Sequence, residues 1–587
     1  MKNIKRSIAV TWFTSLSLMF SLVAGVMTND TAKAQSVRGS RRAAKVSSDL
    51  RERALENTRL GERRSAQVVI QIKGAASDSL NTLLRSNGVR VKAHLRNLNS
   101  YVVELPTSAL ESVAAYNEVS YVSSDREIHS LGHVEITTGA QAARLVTGAG
   151  EFDGTGIGIV VFDSGLYAAH QSFSGKKGTS RVVANEDFTG EDLKTGDPYG
   201  HGTHVAALAA GSNRLADGAY TGVAPNANLI NLRVINSQGT GSVSGLLSAL
   251  DWVLTNHRTY NIRVVNISLG TSAIDSYKND PLCKAVRRLV DAGVVVAAAA
   301  GNNGKNSDGQ KIYGLIHAPG NEPSAITVGA SNTFGTDTRN DDVVTTYSSR
   351  GPTRSYLTDE SGTRHYDNLA KPDLVAPGNK LISAQAKNNF LVTNHPELDA
   401  GTSQNDHRKM MYLSGTSMAT PVVAGAVALM LQANPQLTPN LVKALLLYTA
   451  QPLAGYNMLD QGAGQLNIEG AMRLASLVRR DLESSTPLGA PLLVMETVPV
   501  AQTTIAEQPF AWAERIILGR RYAFGSELIT KYQKLYNMGV LATDGVLATD
   551  GVLATDGVLA TDGVLATDGV LATDAFLQAL SLMISGE

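Results

Sequence analysis

Gly156-Ile157-Gly158-Ile159-Val160-Val161-Phe162-Asp163-Ser164-Gly165 is the stretch that decides the fold. A near-continuous apolar run framed by glycines is the pattern of a strand buried on both faces, as in a parallel sheet. Asp163 closes the run, at the carboxyl end where open α/β sheets gather their functional groups. Taken alone, an aspartate at a strand end is as readily a turn former.

Working outward, Asn228 to Val234 and Val264 to Ile267 repeat the apolar-strand pattern, and Val294 to Ala300 does so again before Gly301-Asn302-Asn303-Gly304. Helical patterns over 243–255 and 281–291 fall between them. Alternating strand and helix predict an α/β fold: a mostly parallel sheet with helices on both faces.

His201-Gly202-Thr203-His204-Val205-Ala206 opens a helix of small residues, with His201 at its start. Two histidines three apart on a helix are also a metal-ligand spacing. The motif contains no acidic third ligand, so no metal site is assigned. Further on, Leu413-Ser414-Gly415-Thr416-Ser417-Met418-Ala419-Thr420-Pro421 leads into an apolar helix over 422–433, with Pro421 expected in its first turn. A serine there is surrounded by unpaired backbone N–H groups and the positive end of the helix dipole. An ordinary N-cap serine would look the same in isolation.

Asp163, His201 and Ser417 together are the parts of an activated nucleophile. A serine hydroxyl is inert near neutral pH without an adjacent base. Histidine suits that task because its pKa lies near the working pH. A carboxylate must then fix the imidazole tautomer and stabilise the imidazolium. The three motifs, in the chain order Asp, His, Ser, resemble those of the subtilisin-like serine proteases, the subtilases. The resemblance covers roughly residues 135–478 and, less closely, 66–130.

The resemblance implies further roles. Asn302 matches the asparagine that donates to the oxyanion. Ser268, Leu269 and Gly270 match the backbone lining the pocket for the residue before the cut bond, and Gly239 and Gly241 match a segment that pairs with an extended substrate. Ala299, Ala300 and Gly301 are small and leave that pocket open, so a sizeable apolar side chain is expected there, within a broad specificity of apolar preference. Catalysis requires no cofactor. A structural calcium is left open with no ligand set: the carboxylates Asp187, Glu191, Asp192, Asp197, Asp341 and Asp342 lie in loops without a cation-loop spacing.

The flanking regions set the organisation. Lys2, Lys5 and Arg6 precede an apolar stretch and Ala32-Lys33-Ala34, the pattern of a secretory signal peptide over 1–34, and so predict a secreted, bacterial protein. A single cysteine, Cys283, allows no internal disulfide. Residues 35–65 are basic and polar and are expected to form a linker, with a helical piece near Asp49 to Leu60 as an option. Residues 66–130 read β-α-β-β-α-β, a ferredoxin-like order that resembles the inhibitory propeptide of subtilases. A catalytic domain over 131–478 follows, then an extension over 479–538, expected to be linker-like at its prolines and partly helical beyond Phe510. Gly-Val-Leu-Ala-Thr-Asp then repeats six times over 539–574, and a tail over 575–587 ends the chain.

The expected function is a secreted endopeptidase made as a self-processing zymogen, acting on protein or peptide substrates with its own propeptide as intramolecular inhibitor. The alternative is a non-catalytic binding protein on the same scaffold that makes cell-surface contact through its repeats. Lys plus Arg and Asp plus Glu number 52 each, and no basic stripe is interleaved with aromatics, so nucleic acid is excluded as a partner.

Overall fold

The computed structural model describes residues 45–60, 65–86, 89–125, 134–144, 152–175, 178–215, 218–483, 485–495, 498–536 and 583. The chain divides into two compact units, 1–128 and 129–587.

In the first unit α1 (Ser48–Leu60) is followed by β1 (Ser65–Ile72), α2 (Asp78–Leu84), β2 (Arg90–Leu95), β3 (Ser100–Pro106), α3 (Leu110–Ala114) and β4 (Val119–Ser124). The sheet order is β2-β3-β1-β4, with every pairing antiparallel. Every second residue of β1 (Ala66, Val68, Ile70, Ile72) is buried, the two-residue period of a sheet with one face covered. Ser77 starts α2 by accepting the Leu80 N–H. This is the β-α-β-β-α-β order expected from the sequence. Within the linker expected over 35–65, the helical option near Asp49 to Leu60 is the one the structure takes, as α1. There α1 packs Leu50 and Asn57 inward, Ala54 lies between them at helical spacing, and Val46 bridges to Val122. The polar composition of this stretch hides its narrow apolar stripe in the sequence.

The second unit is built on β5 (Gly158–Asp163), β6 (Val182–Asp187), α4 (His201–Ala210), β7 (Asn228–Arg233), α5 (Val243–Asn256), β8 (Ile262–Ile267), α6 (Pro281–Asp291), β9 (Val295–Ala299), β10 (Ile326–Asn332), β11 (Val343–Val344) and β12 (Leu374–Pro377). They form one sheet in the order β11-β10-β9-β8-β5-β7-β6, with β12 also paired to β10. Every pairing is parallel except β10 with the two-residue β11. Side chains of β5 alternate between two cores, Ile159 and Val161 on one face and Val160 and Phe162 on the other. Helices α5 and α6 cover the second face, while α4 and α7 (Thr416–Ala433) cover the first. Helix α7 is apolar and long enough to cross a membrane, yet 89% of it is buried inside the protein, as befits a core helix. It begins six residues earlier than the sequence suggested, so Pro421 lies inside it.

Beyond α8 (Pro439–Thr449) and α9 (Ile468–Leu477) the extension continues the same core. Two hairpins, β13 (Gln502–Ile505) with β14 (Gln508–Ala511) and β15 (Arg515–Leu518) with β16 (Arg521–Phe524), replace most of the expected helical content. Trp512, Ile516, Ile517 and Tyr536 are buried against the helices, and the Trp512 ring meets Tyr448 edge-on. The expected boundary at 478 is therefore no boundary in packing. The expected signal peptide and hexapeptide repeats lie outside the described residues. Met583 is buried, and its carbonyl accepts the Ser414 N–H at 2.8 Å.

Candidate active site

Asp163 lies at the carboxyl end of the central strand β5 and is fully buried. His201 opens α4, whose first turn lies against that strand end. Gly202 makes the approach feasible, since a Cβ there would fall 2.9 Å from Asp163 Cβ and collide with Gly165 O. His201 Nδ1 stands 2.7 Å from Asp163 Oδ1. A carboxylate only accepts, so Nδ1 carries the proton and Nε2 is left as the basic nitrogen. The same oxygen accepts the Ser164 N–H at 2.7 Å, whereas Asp163 Oδ2 is buried without a hydrogen-bond partner. Burial alone would lower the His201 pKa. The charge and hydrogen bond of Asp163, joined by the charge of Asp197, outweigh it and raise the pKa above 6.5.

Asp197, placed among loop carboxylates by the sequence, proves to be a clamp. Its Oδ1 accepts Ser164 Oγ–H and Gly200 N–H, each at 2.8 Å, and its Oδ2 accepts Thr203 N–H at 2.8 Å. Ser164 Oγ in turn accepts the Gly202 N–H at 3.0 Å. One buried carboxylate thus ties the turn after Asp163 to the start of the His201 helix. Its position four residues before His201, where it can reach first-turn N–H groups, was the available signal. Asp187 and Glu191 are engaged by the buried Arg233, whose Nε donates to Ser164 O at 2.9 Å.

Ser417 is the second residue of α7, among N–H groups with no partner inside the helix. Pro421 stands four residues on and has no N–H to offer the Ser417 carbonyl. That carbonyl instead accepts Ser268 Oγ–H at 2.8 Å, which ties the exit of β8 to the Ser417 loop. Asn302 Oδ1 accepts Thr416 N–H at 2.9 Å and Thr416 Oγ1–H at 3.1 Å. A Cβ built on Gly415 would lie 3.3 Å from Asn302 Nδ2, so the amide N–H₂ faces the Gly415–Ser417 loop. The neighbouring Asn303 turns the other way, to His317. The Ser417 hydroxyl makes no hydrogen bond to His201 in this structure; such bonds are often loose without substrate.

Asp163, His201, Asn302, Ser268 and Ser417 are brought to the carboxyl ends of β5, β8 and β9. Gly239 and Gly241 lie in the turn after β7, which is tied back by an Ile235–Gly241 bridge, and Gly239 packs on the Tyr199 ring. Leu269 and Gly270 continue from Ser268, with Gly270 beside His317 and Ala318.

Residues 154–465 match the subtilase family model. The chain belongs to the subtilase family. It is 31% identical over 427 residues to the serine protease AprX of Bacillus subtilis (strain 168), covering 71% of this chain and 89% of that protein. It is 31% identical over 392 residues to an extracellular serine proteinase of Thermus sp. (strain Rt41A), covering 65% and 78%. With subtilisin E of Bacillus subtilis (strain 168) the identity is 28% over 389 residues, covering 66% and 84%. This subtilase is a subtilisin-like serine endopeptidase, and its Asp163–His201 pair fits the family's triad.

Proposed function

We propose that this subtilase is a secreted, self-processing endopeptidase whose chemistry is carried by Asp163, His201, Ser417 and Asn302. The Asp163–His201 hydrogen bond beside the Ser417 loop carries the reading. His201 Nε2 takes the Ser417 Oγ proton as Oγ attacks the peptide carbonyl carbon. The carbonyl oxygen, now negative, is met by Asn302 Nδ2–H and the Ser417 N–H. The imidazolium, stabilised by Asp163, then gives its proton to the departing amine. Water, activated by the same imidazole, releases the acyl group and restores Ser417. The peptide lies along Ser268–Gly270 and the Gly239–Gly241 turn, with specificity broad and apolar. Residues 66–130 act as propeptide and intramolecular inhibitor, which their ferredoxin-like sheet supports. Secretion is supported by the pattern over 1–34 and by a relative that is itself described as extracellular.

Expression of the parent chain and Ser417→Ala, followed by mass spectrometry and casein digestion, tests the reading. The variant should retain residues 66–130 covalently and lose at least about 10⁴-fold in turnover. Equal processing and equal casein digestion would remove Ser417 from the mechanism.

A further inference from the structure

The three backbone N–H groups that lead into Ser417 are each held by a different part of the chain. Thr416 N–H donates to Asn302 Oδ1 at 2.9 Å, and Gly415 N–H donates to Gly378 O at 2.8 Å. Asn302 and Gly378 stand just beyond strands β9 and β12, so both acceptors come from the sheet that builds the site. Ser414 N–H donates to Met583 O at 2.8 Å. Met583 comes from the far side of the repeats over 539–574 in sequence, and its side chain is buried in the same apolar core as α7.

The direction of the Ser414 N–H follows from the strand it extends. Met410–Leu413 pairs antiparallel with Leu381–Ala384. Successive N–H groups along an extended chain point to opposite edges. Gly415 N–H turns to Gly378, on the side of the paired strand, so Ser414 N–H points off the other edge. That edge is covered at its start by Ala400, whose N–H donates to Met410 O at 3.0 Å, and at its end by Met583. A strand edge with an outward N–H is where an extended peptide adds itself. The substrate before the cut bond is assigned to Ser268–Gly270 and Gly239–Gly241. Its continuation past the bond leaves that side of Ser417, and Ser414 offers it a backbone donor three residues from the nucleophile.

We propose that Met583 makes an autoinhibitory contact: the C-terminal segment that carries it occupies the strand edge at Ser414 and shuts out the part of a peptide substrate that follows the cut bond. The proposal rests on the endopeptidase reading above. One N–H serves one carbonyl, so the Met583 carbonyl and a substrate carbonyl compete for the same donor. The buried thioether anchors the segment, and the hydrogen bond places it on the edge. A long substrate meets only the fraction of enzyme whose edge is free, and its apparent affinity falls by that fraction. Turnover at saturation is untouched, because the substrate has then displaced the segment.

The test compares the full chain with Met583→Asp, which puts a charge into the apolar anchor site, and with Met583→Leu, which keeps it apolar. Two substrates share the same residues before the cut: a peptide that continues several residues past it, and a chromogenic one that ends there in a nitroanilide. Met583→Asp should lower KM for the long peptide by about 10-fold with kcat unchanged, while Met583→Leu stays with the parent. All three chains should cleave the nitroanilide alike. A synthetic peptide of residues 575–587, added to the Met583→Asp chain, should raise KM for the long substrate again, and the same peptide carrying Met583→Asp should not. A long-substrate KM for Met583→Asp within about 2-fold of the parent, or failure of the native-sequence peptide to inhibit, would overturn the proposal. So would an equal change on both substrates, which would place the effect in the Ser417 loop itself. A parent and variants that cleave neither substrate nor casein would instead overturn the endopeptidase reading.

Discussion

The two ends of the parallel sheet each bury a carboxylate beside a base, and they are finished differently. At the carboxyl end Asp163 holds His201 with one oxygen and leaves the other without a partner. At the amino end, just before β12, Asp373 is saturated. Lys443 Nζ lies 2.9 Å from Oδ1, Lys371 Nζ lies 2.6 Å from Oδ2, and the Thr327 N–H donates to Oδ2 at 2.8 Å. The lysines pass their remaining donors to Pro323 O and Ala325 O. Burial alone would raise the Asp373 pKa, but the two ammonium charges outweigh it and hold the carboxyl below its usual range. The closed cluster pins α8 to β10 and β12. The open pair keeps a ring nitrogen available for chemistry. Asp373 has partners on both oxygens and joins three elements, whereas Asp163 keeps one oxygen without a hydrogen-bond partner.

Breaking each carboxylate should separate the two roles. The largest effect is expected for Asp163→Asn, which no longer enforces the right imidazole tautomer: turnover should fall about 10⁴-fold while the thermal midpoint stays nearly unchanged. A variant that melts much earlier and keeps its turnover would merge the two ends into one structural class. Next comes Asp373→Ala, which leaves Lys371 and Lys443 in the core without their carboxylate, so that Lys443, whose pKa burial already pushes down to about 7, gives up its proton; the loss should cost about 3–5 kcal/mol in denaturant unfolding. Lys443→Met should cost less, because it leaves Lys371 and Asp373 as a balanced pair. Reversal of that order would show that charge balance is not what the cluster supplies.

The smallest effect concerns pH. A raised histidine pKa adds stability that is fully present below the ordinary value of 6.5 and is lost as pH climbs through the raised value. Activity moves the opposite way over the same window, because the base must be unprotonated. The kcat/KM profile should therefore have an acid limb above 6.5. A limb at or below 6.5 would mean that Asp163 and Asp197 do not govern the ring.

Much of this was legible in the sequence. Strand β5, helices α4 and α6 and the four-stranded sheet of the first unit follow from apolar periodicity and capping residues, and the second helix spans Pro281–Asp291 as read. Three features were less accessible. The start of α7 was misplaced because Pro421 reads as a first-turn residue, although it is accommodated where Ser268 substitutes for the absent partner of a carbonyl. The hairpins over 502–524 escaped notice because short strands with mixed burial resemble irregular chain. The packing of His317 beside Gly270 and Gly301 was not foreseen, since no local pattern announces it. Contacts of that kind are set by the tertiary fold and not by neighbours in the chain.

The missing amide hydrogen of Pro421 has a consequence for how cleavage and recognition are joined. A gap in the ladder of one helix becomes a tether: the rung that proline cannot fill is occupied by the Ser268 hydroxyl at the exit of β8. Displacement of the chain at Ser268 is thereby delivered to the backbone of Ser417 through one short side chain with a single rotatable link.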